Sequence, residues 1–144
     1  MSGNRVKARQ AVMQALYQWQ MNPTNPRAIE TQFLEDEHFQ EADPQYFQQI
    51  LRGVFENLDT IDEAIQAQVR DRKWSDLSEV ERAILRMAGY ELMARPDVPY
   101  RVVINEALEL AKGFGSDQGH RFVNGVLDKL AQQWRSTEIS RKGR

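Results

Sequence analysis

The sequence predicts an all-α fold, a compact bundle of seven helices. Apolar residues recur at three- and four-residue spacing almost everywhere, which is the period of an amphipathic helix, and no segment shows the alternation typical of a strand. Residues 54–88 contain neither glycine nor proline, so nothing in this stretch forces a break. A chain of 144 residues fits one domain, which buries roughly two thirds of its unfolded surface without metal or disulfide support.

Turn and capping residues divide the chain into these helices. The segment from Met21 to Pro26 separates the first helix from the second. Asp43-Pro44 is typical of an N-cap followed by proline at the first helical position, and Asp97-Val98-Pro99 indicates another start. Gly113 and Gly115 end the sixth helix. We therefore expect helices near 4–21, 27–39, 44–57, 59–73, 77–95, 99–113 and 118–134.

The fifth helix is expected to lie at the centre of the fold. Ser78 and Glu81 have the spacing of a capping box, and the residues that follow leave little polar surface. A helix that is apolar nearly all round is a buried one. Gly89 in its interior costs about 1 kcal/mol relative to alanine, so we expect another helix to cross closely there. Residues 1–134 should form the domain, and the basic tail 135–144 should be disordered.

Composition argues against most catalytic classes. The chain has no cysteine, which excludes disulfides, thiolate zinc sites and thiol catalysis. His38 and His120 are far apart and lack carboxylates at metal-ligand spacing, so no metal or other cofactor is expected. The glycine-rich stretch 113–119 follows a helix rather than a strand and lacks the lysine-hydroxyl pair of a P-loop. With no nucleophile near a credible base, the sequence does not predict an enzyme.

No apolar run approaches the length that spans a membrane, and the N-terminus has no signal-peptide core. We therefore expect a soluble, cytoplasmic protein.

The charge of the chain is segregated along its length. Residues 1–29 carry four bases and no acid (+4), residues 30–81 carry four bases and fourteen acids (−10), and residues 82–144 carry eleven bases and seven acids (+4), for a net charge of −2. Basic ends could form a surface for a polyanion, and an acidic middle could receive a basic partner. An uneven scatter of charge over a solvated surface fits the counts equally well.

The seventh helix carries two stripes at helical spacing. One is apolar and suits a core: Val123, Val126, Leu127, Leu130 and Trp134. The second contains Gln118, Phe122, Gly125 and Lys129, with Arg121 and His120 nearby. An aromatic ring beside positive charge can stack a nucleobase and hold its phosphate. The alternative, a ring at the margin of the core, is equally compatible with the spacing of Phe122.

The first helix places Arg5 and Arg9 in line with its apolar face but at its end, where the core should run out. This predicts two guanidinium groups at the rim of the bundle, with Lys7 on the opposite side. Such arginines can hold phosphates or read exposed bases. The alternative, stems that lie over the bundle edge with solvated heads, is favoured by the residues alone. Glu79 and Glu81 could likewise contact a basic protein or simply be solvated.

Several segments are similar to a known family. They are Arg9–Trp19, Glu81–Arg86, Tyr90–Leu92, Asp97–Tyr100, Val103–Ala107 and Phe122–Lys129. Together they resemble the NusB family of bacterial transcription antitermination factors, from about Arg5 to Lys129. The last segment is the most specific.

The resemblance implies an all-helical fold of two small packed bundles and a non-enzymatic RNA-binding factor. Members pair with the ribosomal protein NusE, bind the boxA element of nascent ribosomal RNA leaders, and act with other Nus factors on RNA polymerase to pass terminators. The RNA surface carried onto this sequence comprises Arg5, Lys7, Arg9, Arg121, Phe122, Asn124 and Lys129. The NusE surface comprises Tyr17, Glu79 and Glu81.

The N-terminus departs from the family pattern, which often has a denser arginine run. Here Val6 and Ala8 interrupt the three basic residues. Each lost phosphate contact lowers affinity and flattens the log–log salt dependence by about 0.7 on single strands. We therefore expect weak RNA binding by the chain alone and a larger role for its partner.

Other functions fit the sequence less well. A helical protein–protein adaptor with incidental RNA contacts is the main alternative. A NusB-like domain beside an RNA methyltransferase would precede a catalytic domain with reactive cysteines, which this chain lacks. A helix-turn-helix DNA binder would need a short helix pair ending in a basic recognition helix. The apolar margin of the seventh helix could also be the seam of a homodimer.

Overall fold

The computed structural model describes residues 2–69, 72–114 and 117–142, and this part of the chain contains eight α-helices, two 3-10 turns and no strand. The all-α prediction is therefore confirmed, with one helix more than expected. The helices are α1 (Ser2–Met21), α2 (Pro26–Glu35), α3 (Pro44–Glu56), α4 (Leu58–Gln68), α5 (Glu79–Ala94), α6 (Tyr100–Phe114), α7 (Asp117–Trp134) and α8 (Ser136–Lys142). The 3-10 turns are Glu37–Phe39 and Trp74–Asp76.

The predicted caps start the helices. The Asp43 carboxylate accepts a hydrogen bond from the Tyr46 amide at 3.1 Å, with Pro44 at the first helical position of α3. Ser78 and Glu81 form the expected capping box, in which each side chain accepts from the other residue's backbone amide, at 3.0 and 2.9 Å. These bonds satisfy amides that a helix start otherwise leaves without partners.

Two helices end well before the predicted residue. The second was expected to reach residue 39 but ends at Glu35, because the Asp36 carboxylate accepts from the His38 amide at 2.7 Å and starts a separate turn. The fourth was expected to reach residue 73 but ends at Gln68. The sixth continues past Gly113 to Phe114, and the predicted stop at Gly115 lies outside the described residues.

Helix α5 lies at the centre, as predicted, and all residues from 81 to 89 are buried. It packs against α1 and α3 on one side and against α4, α6 and α7 on the other. Two small bundles therefore share one helix. A Cβ at Gly89 would lie 3.3 Å from Cγ2 of Ile61 in α4, so the predicted close crossing is confirmed.

The direction of the helices around α5 decides where functional residues lie. The Gln20 amide donates to the Glu79 carbonyl at 2.8 Å, while Arg9 bonds Glu91, so α1 runs antiparallel to α5. On the other side Arg135, just after α7, donates to the Glu91 carbonyl at 3.0 Å, so α7 runs parallel to α5. The 16 residues of α5 span about 24 Å at 1.5 Å per residue. The start of α1 and the start of α7 consequently lie at opposite ends of α5.

A buried ion pair joins α1 to α5. Arg9 is 4% exposed and Glu91 is fully buried. The Nε of Arg9 lies 3.1 Å from both carboxylate oxygens, and its Nη2 lies 3.0 Å from Oε2. The Tyr46 hydroxyl donates to the same carboxylate. Burial alone would lower the pKa of the Arg9 guanidinium, but the hydrogen bond and charge of Glu91 outweigh it and raise that pKa.

The C-terminal segment differs from the prediction. The tail from Arg135 onward was expected to be disordered, but residues 136–142 form α8. Arg135 is 5% exposed. Its guanidinium donates to the carbonyls of Glu91, Leu92, Arg95 and Val98 and to the Glu138 carboxylate, at 2.6–3.0 Å. The Glu91 carbonyl already accepts from the Arg95 amide at 3.0 Å, and Arg135 adds donors for it and for the Leu92 carbonyl, both in the last turn of α5. Residues 143 and 144 lie outside the described part.

Loss of Arg9 should destabilise the fold strongly. In an Arg9→Met variant the Glu91 carboxylate stays buried without its counter-charge, and the free energy of unfolding should fall by about 3–5 kcal/mol. Urea unfolding at neutral pH measures this. Adding Glu91→Gln should recover much of the loss, because the neutral amide still accepts from Tyr46.

Lys112→Met is the matched control. Lys112 pairs with Glu109, and both side chains are more than half exposed, at 57% and 71%, so its loss should cost no more than about 1 kcal/mol. Equal costs for Arg9→Met and Lys112→Met would contradict the assigned role of the buried pair.

Candidate nucleic-acid interface

The exposed side of α7 and the connection between α4 and α5 form a groove of about 300 Å³. The core stripe of α7 is confirmed, since Val123, Val126, Leu127 and Leu130 are buried. The second stripe opens into the groove. The residues around it are Gln68, Arg72, Arg121, Phe122, Gly125, Val126 and Lys129. The side chain of Gln118, which the sequence places in the same stripe, lies outside the described residues.

Among the described side chains, two cations of this groove are not paired with a carboxylate. Arg121 and Lys129 are exposed, and within the described ranges neither forms an ion pair. Gly125 between them is also exposed, and nothing lies within 4 Å of the position that a Cβ would take. The groove therefore offers unpaired positive charge and room for a close approach, as an RNA backbone requires. Asn124 is half-buried on the same helix.

The spacing of Phe122 was compatible with the margin of the core and with a binding surface, and the ring lies at both. It is half-buried and packs against the core, and it lines the groove. The guanidinium carbon of Arg72 lies 4.3 Å from the ring centroid. One face of the ring is therefore covered by a cation.

Arg72 is a groove residue that the sequence reasoning missed. It was expected inside the fourth helix and was counted in the acidic middle of the chain. A local signal existed, because residues 70–73 read Arg-Asp-Arg-Lys, three bases within four residues. Its Nη2 donates to the Glu81 carboxylate at 3.0 Å and to the Asp76 carbonyl at 3.1 Å.

The N-terminal basic residues lie in three different environments. Arg5 is half-buried, and its guanidinium carbon lies 4.2 Å from the centroid of the Tyr46 ring. Lys7 is exposed and pairs with Glu41. Arg9 was expected at the rim of the bundle, and that expectation is wrong. The core continues past it, with Ala8 fully buried, and Glu91 provides a buried carboxylate for its head group.

A second arginine joins this end of the molecule. The guanidinium carbon of Arg95 lies 4.9 Å from the Tyr46 ring centroid, on the same ring as Arg5. A bidentate bond to Asp97, at 2.9 and 3.0 Å, raises the pKa of the Arg95 guanidinium. Arg5 and Arg95 on Tyr46 thus form a compact cationic cluster at the end of α5, which we call the Tyr46 cluster. Sequence spacing could not have indicated Arg95, which lies just after α5 and far from Arg5 in the chain.

The residues assigned to a partner protein separate into accessible and inaccessible ones. Tyr17 is 39% exposed near the end of α1. Glu79 is half-buried and accepts from Gln20 at 3.0 Å and Arg82 at 2.7 Å, so Tyr17 and Glu79 lie at the same end of the molecule. Glu81 is only 7% exposed. Its carboxylate serves the capping box and Arg72 rather than the surface.

Other kinds of site were also sought. Over the part of the chain that the structure describes, no group of histidine, aspartate and glutamate side chains could hold a metal ion. None of the described helices is long and apolar enough to cross a membrane.

Comparison with known proteins agrees with this architecture. The chain matches the model of the NusB family over residues 6–132. A transcription antitermination protein NusB from Alcanivorax borkumensis is 49% identical over 138 residues, which are 96% of this chain and 91% of that protein. The structure of T. maritima NusB has a TM-score of 0.78 at 34% identity, covering 90% of this chain and 91% of its own. A complex of NusB and NusE with dsRNA contains the same fold, with a TM-score of 0.74 at 22% identity and coverage of 93% and 100%. This chain belongs to the NusB family.

Proposed function

We propose that this protein is a transcription antitermination factor that binds the boxA element of nascent ribosomal RNA leaders together with NusE. In the cytoplasm, with other Nus factors, it helps RNA polymerase read through terminators. The observation that carries the proposal is the groove on α7, where unpaired cations flank an aromatic ring. The relative from Alcanivorax borkumensis, which is 49% identical, is named a transcription antitermination protein, and this name supports the same activity.

RNA contacts are proposed at both ends of α5. The groove on α7 lies at its start, and Arg5 in the Tyr46 cluster lies at its end. Because these sites share no side chain and lie towards opposite ends of α5, their contributions should add. Only an RNA that spans both sites gains both. Of the residues assigned to RNA at the N-terminus, Arg5 and Lys7 can contact phosphates, whereas Arg9 supports them from the core.

The partner surface is proposed at the start of α5. Tyr17 and Glu79 lie there, on the same end of the molecule as the groove. A solved structure with this fold is a complex of NusB and NusE with dsRNA. We infer that NusE docks on this end and lengthens the RNA surface that begins in the groove.

One observation favours the alternative of an adaptor with incidental RNA contacts. Two of the three N-terminal cations are already paired, Lys7 with Glu41 and Arg9 with Glu91. An adaptor would bind NusE and function equally well after Arg5 and Lys129 were both neutralised. The antitermination proposal requires these residues for RNA binding.

The proposed function predicts selective RNA binding that NusE strengthens. A titration would compare boxA RNA with a scrambled RNA, each with and without NusE, at two salt concentrations. We expect tighter binding to boxA, a further gain with NusE, and a modest salt dependence because few cations are free. A Phe122→Ala variant should bind about ten- to a hundredfold more weakly, since loss of an aromatic stack costs roughly 1–3 kcal/mol and Phe122 is the ring on which the groove cation Arg72 lies. Equal binding of both RNAs, unaffected by NusE, would instead support the adaptor.

Replacing Gly125 by alanine should have opposite effects on the stability of the chain and on RNA binding. Its replacement by alanine meets no atom within 4 Å and should stabilise the chain by about 1 kcal/mol, because alanine is the better helix former. The added methyl group narrows the groove, so boxA RNA should bind several-fold more weakly. Urea unfolding and RNA titration measure the two effects.

Gly113→Ala is the matched control for this change. Gly113 is also exposed in a helix with nothing within 4 Å, but it lies outside the groove. It should leave RNA binding unchanged. Undiminished RNA binding by the Gly125→Ala variant would place the RNA elsewhere on the molecule.

A further inference from the structure

We infer that Arg72 is the platform on which one unpaired nucleobase stacks in the groove, and that Glu81 is the positioning residue that holds it there. The inference rests on the proposed RNA-binding function and adds a residue to it. It also names the kind of RNA that the groove accepts, a single strand rather than a duplex.

The position of the Arg72 guanidinium determines where a base can stack. Its carbon lies 4.3 Å from the centroid of the Phe122 ring, so a base cannot stack on that face of the ring while Arg72 remains in place. A guanidinium is planar, and its second face stacks on a base as readily as an aromatic ring does. The predicted order is therefore Phe122, Arg72, nucleobase.

Arg72 is held in place by the protein, but not all of its hydrogen-bond donors are used. Both of its protein hydrogen bonds are made by Nη2. Its Nε and Nη1 have no hydrogen-bond partner among the residues described. The side chain is 33% exposed. A stacked base or its phosphate can therefore accept from the remaining donors without displacing any bond of the protein.

Glu81 holds Arg72 in position. Its Oε1 accepts from the Ser78 amide at 2.9 Å and from Arg72 at 3.0 Å. One buried carboxylate thus fixes both the start of α5 and the guanidinium. An arginine held in one rotamer before RNA arrives loses less conformational entropy on binding than a free one. This explains why a nearly inaccessible acid lies beside an RNA groove.

The groove selects the form of the RNA. A base inside a duplex is stacked on both sides and paired, so it cannot reach the guanidinium. An unpaired base can enter, with its flanking phosphates near Arg121 and Lys129 and its backbone close to Gly125. The ligand of this groove is therefore a single-stranded segment of RNA.

The test uses the charge-conserving variant Arg72→Lys in the full chain with NusE. Lysine keeps the positive charge but has no planar group, so single-stranded boxA RNA should bind about three- to thirtyfold more weakly. The slope of log affinity against log salt should stay unchanged, because no phosphate contact is lost. A series of boxA RNAs, each with an abasic site at a different position, should then be titrated. At one position, the missing base should abolish the difference in affinity between the variant and the wild type.

Arg101→Lys is the matched control. Arg101 also lies over an aromatic ring, 5.7 Å from the Tyr100 centroid, and is exposed outside the groove. Its replacement should leave RNA binding unchanged. If Arg72→Lys binds like wild type while Arg72→Ala flattens the salt slope by about 0.7, Arg72 is only a phosphate contact and the inference is wrong. Equal affinity of wild type for boxA duplex and single strand would overturn it as well.

Glu81→Gln separates positioning from partner contact. The glutamine carbonyl can still accept from the Ser78 amide, but the charge that holds Arg72 is lost. We expect weaker RNA binding with unchanged NusE affinity. Loss of NusE affinity with unchanged RNA binding would make Glu81 a partner contact instead. If wild-type protein with NusE fails to distinguish boxA from scrambled RNA, the proposed function itself fails, whatever the variants do.

Discussion

The buried ion pair between Arg9 and Glu91 fixes the arrangement on which the rest of the structure depends. Removing two charges from water is costly, and here a bidentate bond and the hydroxyl of Tyr46 offset the cost. The carbonyl of Glu91 also accepts from Arg135, so α1, α3, α5 and the residue that joins α7 to α8 meet at one position. This junction sets the direction of α1 on α5, and with it the end of the molecule at which Arg5 lies.

The position of α5 between the two proposed RNA sites determines which RNA could reach both of them. The Tyr46 cluster lies at its end, and the groove on α7 lies at its start beside the proposed partner surface. The groove extends along α7 only to Lys129, next to Leu130, which packs at Gly89 of α5, so the two sites stay apart along the helix. A chain with few free cations at each site cannot bind tightly through one alone, which gives the partner at the start of α5 its importance. Under the proposed function, the basic ends of the sequence contribute to two small sites rather than to one large surface.

Sequence reasoning succeeded where a residue's environment is decided by its own helix. The apolar stripe of α7, the caps at Asp43 and Ser78, and the burial of α5 follow from local spacing. It failed for charged residues whose partners are distant in the chain. Arg9 pairs with a residue 82 positions away, and Arg135 bonds carbonyls up to 44 positions away. Periodicity gives the face on which a side chain lies, but not whether another helix supplies a counter-charge there.

The most direct test of RNA binding towards both ends of α5 uses backbone amide chemical shifts. The changes that boxA RNA causes in these shifts, in the presence of NusE, map the RNA on the protein. The account predicts RNA-dependent shifts in two separate regions, residues 3–10 at the start of α1 and residues 121–129 of α7 with the adjoining 72–81. Residues of α6, which contribute to neither site, should not shift. Shifts confined to one end of α5 would contradict the account, because a single site would then carry all the RNA binding.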